Sequence, residues 1–249
     1  MIKKEMVRVE SSSLVARDTV KMVLENEYIS RLAVPGQFLH VEAAGHTLRR
    51  PISIADADRE IGTVTIIFRV TGSGTKQLAS CQPGMTLTVL GPNGNGFPFM
   101  QAGSRVLLIG GGIGVPPLYY LGRSLAVKPC TVKAILGFQS AADVFYEKEF
   151  REFAGTVIVT NDGSFGEKGL VTDVIEQAGS FDYYYTCGPT PMLQAVTRKL
   201  KRKPGFVSME EYMGCGVGAC FACAIPARDG GYKKICKDGP VFPAEEVRL

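Results

Sequence analysis

The sequence predicts a small antiparallel β-barrel, a doubly wound parallel-sheet α/β domain and a short cysteine-rich module, within one chain of 249 residues. Three observations lead to this fold class. Short strand-like runs fill the N-terminal part, buried runs alternate with helical segments in the middle, and cysteines cluster near the C-terminus. We place the three parts at residues 1–101, 102–207 and 208–249.

The barrel is predicted from short runs of β-branched and apolar residues with a period of two. Val64, Ile66 and Phe68 occupy one face of such a run, while Ile67 falls on the other face. Residues 86–90 repeat the pattern directly after a Pro-Gly turn. Short runs separated by Gly and Pro at this spacing favour a small antiparallel barrel.

The pattern changes near residue 104, where continuous apolar runs replace alternating ones. Residues 105–109 form a run that is typical of a strand buried on both faces of a parallel sheet. Further strands are expected at 131–136, 155–160 and 182–186, and helices at 118–125, 142–153, 171–177 and 191–201. This alternation predicts a doubly wound sheet. Beyond Pro204 the periodicity ends, so the last segment needs another source of order.

Composition and charge exclude several classes of function. The net charge is +4 and the main basic group lies at 199–203, which is too little for a nucleic-acid surface. No run reaches the ~18 apolar residues of a membrane span and the N-terminus has no apolar signal segment, so we expect a cytoplasmic protein. In that reducing compartment the 7 cysteines are not expected to form disulfides, and 2 histidines are too few for a multi-histidine metal site.

The clustered cysteines are the strongest functional signal. Their spacing is Cys215-x4-Cys220-x2-Cys223-x12-Cys236, and its first part matches the C-x4-C-x2-C spacing of plant-type [2Fe–2S] proteins. The intervening loop residues are small or apolar, which lets backbone N–H groups turn toward cluster sulfurs. The alternative is a structural zinc site, although such sites usually present two C-x2-C knuckles and this segment has one.

A glycine-rich turn is the first candidate nucleotide site. Gly110, Gly111, Gly112 and Gly114 follow the first buried strand and precede a predicted helix. In this context the backbone can approach a pyrophosphate closely, and the helix N-terminus supplies N–H donors.

A second candidate site combines Arg50 and Ser53 with Gly74 and Thr75 further along the chain. Arg50 can form a bidentate pair with a phosphate, while the other residues offer hydroxyl and N–H donors. Taken alone, Arg-x-x-Ser is typical of a surface turn, so its weight comes from its position relative to the other motifs.

In this order, the Arg-x-x-Ser motif, the Gly-Thr loop, the glycine-rich turn and the later segment 187–189 resemble the ferredoxin–NADP reductase superfamily. Within it, segments 48–54, 210–223 and 236–242 are similar to those of the electron-transfer subunits of NAD-dependent (type B) dihydroorotate dehydrogenases. The resemblance spans essentially the whole chain. It implies that the barrel binds FAD, that the α/β domain binds NAD as a co-substrate, and that the C-terminal module holds a [2Fe–2S] cluster.

The resemblance also implies which residues contact each cofactor. The expected FAD contacts are Arg50, Pro51, Ile52, Ser53, Ile67, Phe68, Arg69, Gly74 and Thr75. The expected NAD side comprises Gly110, Gly111, Gly112, Gly114, Cys187 and Gly188, and the expected cluster ligands are Cys215, Cys220, Cys223 and Cys236. The alternative to a role of Cys187 at the NAD site is that its side chain only fills buried space at the end of a strand. Many reductases of the superfamily have an aromatic residue where Ile52 stands, and Ile52 cannot stack on a flavin.

The implied reaction needs a second subunit. By the resemblance, electrons leave dihydroorotate at an FMN on a separate catalytic subunit, cross the cluster to FAD and reduce NAD⁺. This reaction belongs to pyrimidine (UMP) biosynthesis, and the family suggests a heterotetramer with two copies of each subunit. An electron conduit needs no general acid–base pair of its own, so no residue is predicted to be catalytic.

Two other functions stay open on the sequence. The first is the electron-transfer subunit of another flavin/iron–sulfur complex, such as a hydrogenase diaphorase or an NADH–ferredoxin NADP oxidoreductase small subunit. The second is a zinc-stabilised nucleotide-binding module without redox activity. Residues 137–140, after the second α/β strand, contain neither an acidic ribose ligand nor an arginine for a 2′-phosphate, so they favour neither NAD nor NADP.

Overall fold

The computed structural model describes residues 2–249, and its N-terminal part is a closed antiparallel barrel. The elements are β1 (Lys3–Ala16), β2 (Thr19–Glu25), α1 (Glu27–Leu32), β3 (Phe38–Val41), β4 (Arg50–Asp58), β5 (Thr63–Arg69), α2 (Ser73–Ala79) and β6 (Thr86–Asn93). The strands are hydrogen-bonded in the order β1-β2-β5-β4-β3-β6, and β6 returns to β1 to close the barrel. The predicted barrel is confirmed.

Alternation decides which side chains of β5 fill the barrel. Val64, Ile66 and Phe68 belong to the barrel core, as the period of two predicts. Ile67 lies on the opposite face and is nevertheless only 2% exposed, because it joins a core cluster of the α/β part that includes Val115. The outward face of β5 is therefore an interface between two parts of the chain.

The middle of the chain forms a parallel sheet with helical segments. Its elements are β7 (Arg105–Gly111), a 3₁₀ turn (Gly112–Gly114), α3 (Val115–Ala126), β8 (Thr131–Phe138), a 3₁₀ turn (Ala141–Asp143), α4 (Glu147–Arg151), β9 (Gly155–Thr160), β10 (Glu167–Lys168), a 3₁₀ segment (Val171–Ala178), β11 (Tyr183–Cys187), α5 (Thr190–Lys199) and β12 (Gly205–Ser208). The strand order β10-β9-β8-β7-β11-β12 reverses between β7 and β11, which confirms the doubly wound sheet. Ligands of such sheets bind outside the carboxyl ends of the strands at this switch point.

The helices differ from the prediction in length and type. The single helix expected at 142–153 is a 3₁₀ turn followed by the short α4, because Tyr146 before α4 has a left-handed φ of 63° that interrupts a right-handed helix. The helix expected at 171–177 is a 3₁₀ segment. Helix α3 begins at Val115, since the prolines that follow fit its first turn. Within residues 2–249, no helix is long and apolar enough to cross a membrane.

The C-terminal segment adds strands to the fold. Its elements are β13 (Ala224–Pro226), β14 (Tyr232–Lys234), α6 (Ile235–Asp238) and β15 (Val241–Pro243). Strands β13 and β14 pair with each other, while β15 pairs antiparallel with β12 and extends the large sheet. Periodicity predicted neither β12 nor β15, because strands of 4 and 3 residues are too short to show a period.

Candidate functional site

A cavity of about 740 Å³ lies where the barrel, the glycine-rich turn and the C-terminal segment meet. This volume falls within the roughly 300–1,000 Å³ range of cofactor sites. The residues predicted to contact FAD that line it are Arg50, Pro51, Ile52, Ser53, Ile67, Phe68, Arg69 and Thr75. The remaining predicted residue, Gly74, lies against Arg50. Strands β4 and β5 and the first turn of α2 thus bring the predicted barrel residues to one cavity.

Arg50 brings to this cavity a positive charge that has no acidic partner. Arg49 and Arg69 also line the cavity, but each faces a carboxylate oxygen, at 2.5 Å and 3.6 Å respectively. Within residues 2–249, Arg50 forms no ion pair with a carboxylate. Its guanidinium lies so close to Gly74 that a Cβ there would collide with it. An uncompensated guanidinium at the wall of a cavity suits a pyrophosphate.

The predicted NAD-side residues converge at the switch point of the sheet. Gly110 at the end of β7 pairs with Cys187 at the end of β11. The backbone of Cys187 passes so close to Gly114 that a Cβ on this glycine would collide with it. Gly188 lies against the backbone of Gly111. The close approach of these backbones explains why glycine occupies the turn.

The glycine-rich turn reaches the large cavity. Gly112 has a φ of 52°, a region that favours glycine, and the adjacent Ile113 lines the cavity. Cys187 is completely buried, and burial raises the pKa of its thiol, so the side chain is a neutral thiol. The turn that carries the glycines predicted for NAD therefore reaches, through Ile113, the cavity that the residues predicted for FAD line.

The cysteines predicted to bind the cluster lie as two pairs. Cys223 Sγ is 3.3 Å from Cys236 Sγ. The backbone N–H of Cys220 donates to Cys215 Sγ at 3.3 Å, and the side chain of Cys220 also acts on the Cys215 thiol as a hydrogen-bond partner. In the described part of the chain, no three His, Cys, Asp or Glu side chains are gathered as ligands of one metal ion. Two pairs of sulfurs match the donor set of a [2Fe–2S] cluster, in which four cysteines are shared by two irons.

Backbone N–H groups point at these sulfurs. Gly218, with a φ of 83°, donates to Cys236 Sγ at 3.1 Å, and Val217 donates to Cys215 Sγ at 3.5 Å. Burial by itself raises the pKa of Cys215. The hydrogen bonds from N–H donors lower it by more than burial raises it, and the result is a pKa of about 6. A thiolate is the form that ligates iron, so Cys215 suits this role, whereas burial and the contact with Cys223 raise the pKa of Cys236 to about 12. The fit to a cluster therefore rests on the four sulfurs and the backbone N–H donors around them.

A buried histidine lies between the cavity wall and the cysteine loop. His40 of β3 is fully buried and pairs with Pro51 of β4, which lines the cavity. Its Nδ1 faces Gly216, where a Cβ would collide with the ring. Burial, reinforced by the charge of Arg49, lowers the pKa of His40 to about 4. The imidazole is therefore neutral near pH 7.

Residues 209–213 form a cavity wall that residue patterns did not predict. Met209, Glu210, Glu211, Tyr212 and Met213 all line the cavity, immediately before the cysteine loop. The only signal for residues 210–213 in the sequence is that the segment 210–223 carries part of the resemblance, and Met209 lies outside that segment. Tyr212, which is 89% exposed, brings an aromatic side chain to a cavity in which Ile52 cannot stack.

Other unpredicted residues complete the cavity. They are Phe38, His46, Thr47, Leu48, Arg49, Thr71, Ile113 and Pro240. His46 links the loop before β4 to the start of α2, because its Nε2 lies 2.8 Å from Ser73 Oγ. A lone histidine in a loop, or a phenylalanine at the start of a strand of 4 residues, carries no spacing signal, which is why the sequence pattern did not single out His46 and Phe38.

Known protein families match both ends of the chain. The iron–sulfur cluster binding domain of dihydroorotate dehydrogenase B matches residues 210–248, and the oxidoreductase FAD-binding domain matches residues 6–97. The chain is 54% identical over 244 residues to the dihydroorotate dehydrogenase B (NAD(+)) electron transfer subunit of Shouchella clausii, covering 94% of each chain. It is 50% identical over 257 residues to the same subunit of Bacillus caldolyticus, covering 100% of each.

Solved structures show the same fold. One from a study of the NADH-dependent reduced ferredoxin-NADP oxidoreductase superposes with a TM-score of 0.90 at 30% identity, covering 98% of this chain and 90% of that one. The cytochrome b5 reductase domain of Ulva prolifera nitrate reductase superposes with a TM-score of 0.66 at 18% identity, covering 80% of this chain and 93% of that one. The second likeness concerns the fold alone.

Proposed function

Because the chain belongs to the family of dihydroorotate dehydrogenase B electron-transfer subunits, we propose that it passes electrons from a catalytic partner to NAD⁺. The partner is an FMN-containing subunit that oxidises dihydroorotate to orotate, within a cytoplasmic assembly of two copies of each subunit. The observation that carries the proposal is the large cavity, which borders the barrel, the glycine-rich turn and the segment leading into Cys215.

The chain's own residues bind and orient the cofactors. Arg50 holds the FAD pyrophosphate with its guanidinium, which donates to the Leu48 carbonyl but has no carboxylate partner, and Gly74 leaves the space that this guanidinium occupies. Ser53 offers a hydroxyl group at the same wall, whereas the Thr75 hydroxyl accepts from the Thr71 and Gly72 N–H groups and donates to the Gly72 carbonyl. Thr75, Ile67 and the rest of the predicted set enclose the cofactor. When bound, FAD would exchange hydride with NAD and single electrons with the cluster.

The glycine-rich turn is proposed to receive NAD. Gly110, Gly111, Gly112 and Gly114 allow close approach of a pyrophosphate at the switch point, and the 3₁₀ turn leads directly into α3. Cys187 and Gly188 lie beside this turn, with the sulfur of Cys187 held as a neutral thiol by burial. The backbone therefore shapes this site more than charged side chains do.

The four clustered cysteines are proposed to hold the [2Fe–2S] cluster. Cys215 and Cys220 form one pair of ligands, and Cys223 and Cys236 form the other. The backbone donors of the loop stabilise negative charge on the sulfurs, which is one way in which a protein tunes a cluster's reduction potential. Residues 209–213 connect these ligands to the cavity wall.

The division into cofactor-binding parts follows the same assignment. We assign FAD binding to residues 1–101, NAD binding to 102–207 and cluster binding to 208–249. The other flavin/iron–sulfur complexes are less consistent with the chain, which is 54% identical to a dihydroorotate dehydrogenase B subunit and 30% identical to the structure from the ferredoxin-NADP oxidoreductase study. A redox-inactive zinc module is inconsistent with the matched FAD-binding domain.

Purification of the chain with and without the catalytic subunit tests the proposal. We expect a coloured chain that contains FAD, iron and sulfide and oxidises NADH with an artificial acceptor. It should show no dihydroorotate turnover alone and NAD⁺-dependent turnover with its partner. A colourless chain, or dihydroorotate oxidation by the chain alone, would contradict the proposed function.

A further inference from the structure

The starting observation is a buried imidazole without a hydrogen bond. His40 has no exposed surface, and neither Nδ1 nor Nε2 has a partner among residues 2–249. The backbone carbonyl of Arg49 acts on the pKa of His40 as a hydrogen-bond acceptor, although its distance and angle fall short of a full hydrogen bond. Buried polar groups in native proteins are nearly always satisfied, and this one weak contact serves two ring nitrogens, so a nitrogen is left for a group that binds beside the ring.

The position of the ring indicates which bound group this is. His40 is absent from the lining of the flavin cavity, although its strand neighbour Pro51 is part of that lining. Its Nδ1 faces Gly216, the residue after Cys215. The imidazole is therefore packed under the cysteine loop, on the side of the barrel.

The local chemistry indicates the direction of the hydrogen bond. The sulfurs of an iron–sulfur cluster and of its cysteinate ligands accept hydrogen bonds, so a nitrogen that contacts them must carry the hydrogen. The N–H groups of Val217, Gly218 and Cys220 already donate to cysteine sulfurs from within the loop. A neutral imidazole has one N–H, and placing it on the nitrogen that faces the loop adds one further donor to this set.

We propose that the imidazole of His40 donates a hydrogen bond to a sulfur of the iron–sulfur centre held by the cysteine loop, and thereby raises the reduction potential of the cluster. The inference rests on the proposed function, because it requires the cluster to be present. In this proposal His40 contacts the cluster and no substrate, so its effect is on the cluster's reduction potential. Hydrogen bonds to the sulfurs are an established determinant of cluster potentials.

Isotope labelling of the unmodified full chain tests the contact itself. The chain has 2 histidines, His40 and His46, so growth on ¹⁵N-histidine labels few nitrogens. Electron–nuclear spectroscopy of the dithionite-reduced cluster should show a coupling that changes on labelling and is absent from labelled His40→Leu. A spectrum that labelling leaves unchanged overturns the proposal. The comparison of the labelled with the unlabelled unmodified chain does not depend on whether a variant folds.

Two substitutions separate hydrogen bonding from packing. Leucine preserves most of the ring's volume and removes the donor, whereas asparagine is smaller but places an N–H near the position of Nδ1. If His40 is a donor, His40→Leu makes the cluster potential more negative and His40→Asn keeps it near the original value. If the ring only fills space, the potential of His40→Leu is unchanged and that of His40→Asn shifts, which contradicts the proposal.

The controls separate this inference from the proposed function. Iron, sulfide and FAD per chain are measured first in the unmodified protein, together with the FAD potential. A chain without iron and sulfide contradicts the proposed function and the inference together. A chain with a normal cluster whose spectrum and potential are insensitive to His40 contradicts only the inference. The FAD potential should be the same in all variants.

Discussion

The barrel and the C-terminal segment 208–249 acquire their order in different ways. The barrel closes six strands around a core of its own, which includes Leu24, Ile54 and Ile66. The C-terminal segment has three strands of 3 residues each. Its buried side chains share a cluster with Phe38 of β3 and with residues of α5 and β12.

This difference shows where each cofactor site obtains its rigidity. The wall that Arg50 and Ser53 provide belongs to strands that the barrel holds in place by itself. The cysteine loop depends on neighbouring parts and on the group that its sulfurs bind, because so short a segment buries little apolar surface of its own. Disturbing the cysteines should therefore affect the segment strongly and the barrel weakly.

Cys220→Ser should have the largest effect. Loss of one ligand should remove almost all iron and sulfide and make residues 208–249 sensitive to proteolysis, while much of the FAD remains bound to the barrel. Metal and sulfide analysis, flavin absorbance and limited proteolysis measure these outcomes. Cys130→Ser is the matched control, since its sulfur contacts the Gln101 carbonyl at 3.7 Å, away from the loop. Unchanged iron and sulfide in Cys220→Ser would contradict the ligand assignment.

Arg50→Ala should have the next largest effect, and it should act on the barrel site alone. Removing a charged hydrogen-bond donor to phosphate should weaken FAD binding by about 1.5–3 kcal/mol, or roughly 10- to 150-fold in Kd. Titration of the flavin-free chain with FAD measures this, and iron content should stay constant. Arg49→Ala is the control, because the Arg49 guanidinium is already bound to Glu42 at 2.5 Å and should matter less. Equal losses in the two variants would contradict a specific role for Arg50.

Gly74→Ala should separate binding from stability within the barrel. The new Cβ would collide with the Arg50 guanidinium and displace it, so FAD affinity should fall several-fold. Alanine also favours a helix over glycine by about 1 kcal/mol, so the melting temperature of the flavin-free chain should stay level or rise. Gly72→Ala is the control, since a Cβ there has open space around it. A fall in melting temperature with unchanged FAD affinity would contradict the expectation.

The ion pair between Asp56 and Arg123 should have the smallest effect. It joins β4 to α3 at 2.6 Å, with side chains 19% and 44% exposed, so solvent screens it. A double-mutant cycle of Asp56→Asn and Arg123→Met should give a coupling free energy of about 0.5–1 kcal/mol in urea unfolding. A coupling near 3 kcal/mol is typical of a buried pair. It would show that water has much less access to this ion pair than its exposed surface indicates.

Local features of the sequence predicted much of the fold and of the candidate site. The period of two in β5 identified the side chains that fill the barrel, because alternation is a property of neighbouring residues. The glycine-rich turn after β7 and the cysteine spacing are equally local. Their prediction needed only the conformations and ligand spacings possible within a few residues.

The sequence pattern did not predict contacts between segments that are far apart in the chain. Ile67 was placed on an outward face, and the structure buries it because the α/β part covers that face. The helix expected at 142–153 was wrong in part, since Tyr146 adopts a left-handed conformation in its packed surroundings. A pattern shows which face is apolar, but it does not show which distant segment covers that face.

The sequence by itself determined that this chain has a barrel, a doubly wound sheet and a module with clustered cysteines. Each of these features depends on residues close together in the chain. Only the tertiary structure decided that residues 209–213 close the cavity, that β15 joins the large sheet, and that His40 lies under Gly216. Those arrangements depend on how whole faces pack against one another. Packing is a property of the folded chain, in which segments far apart in sequence compete for the same buried surface.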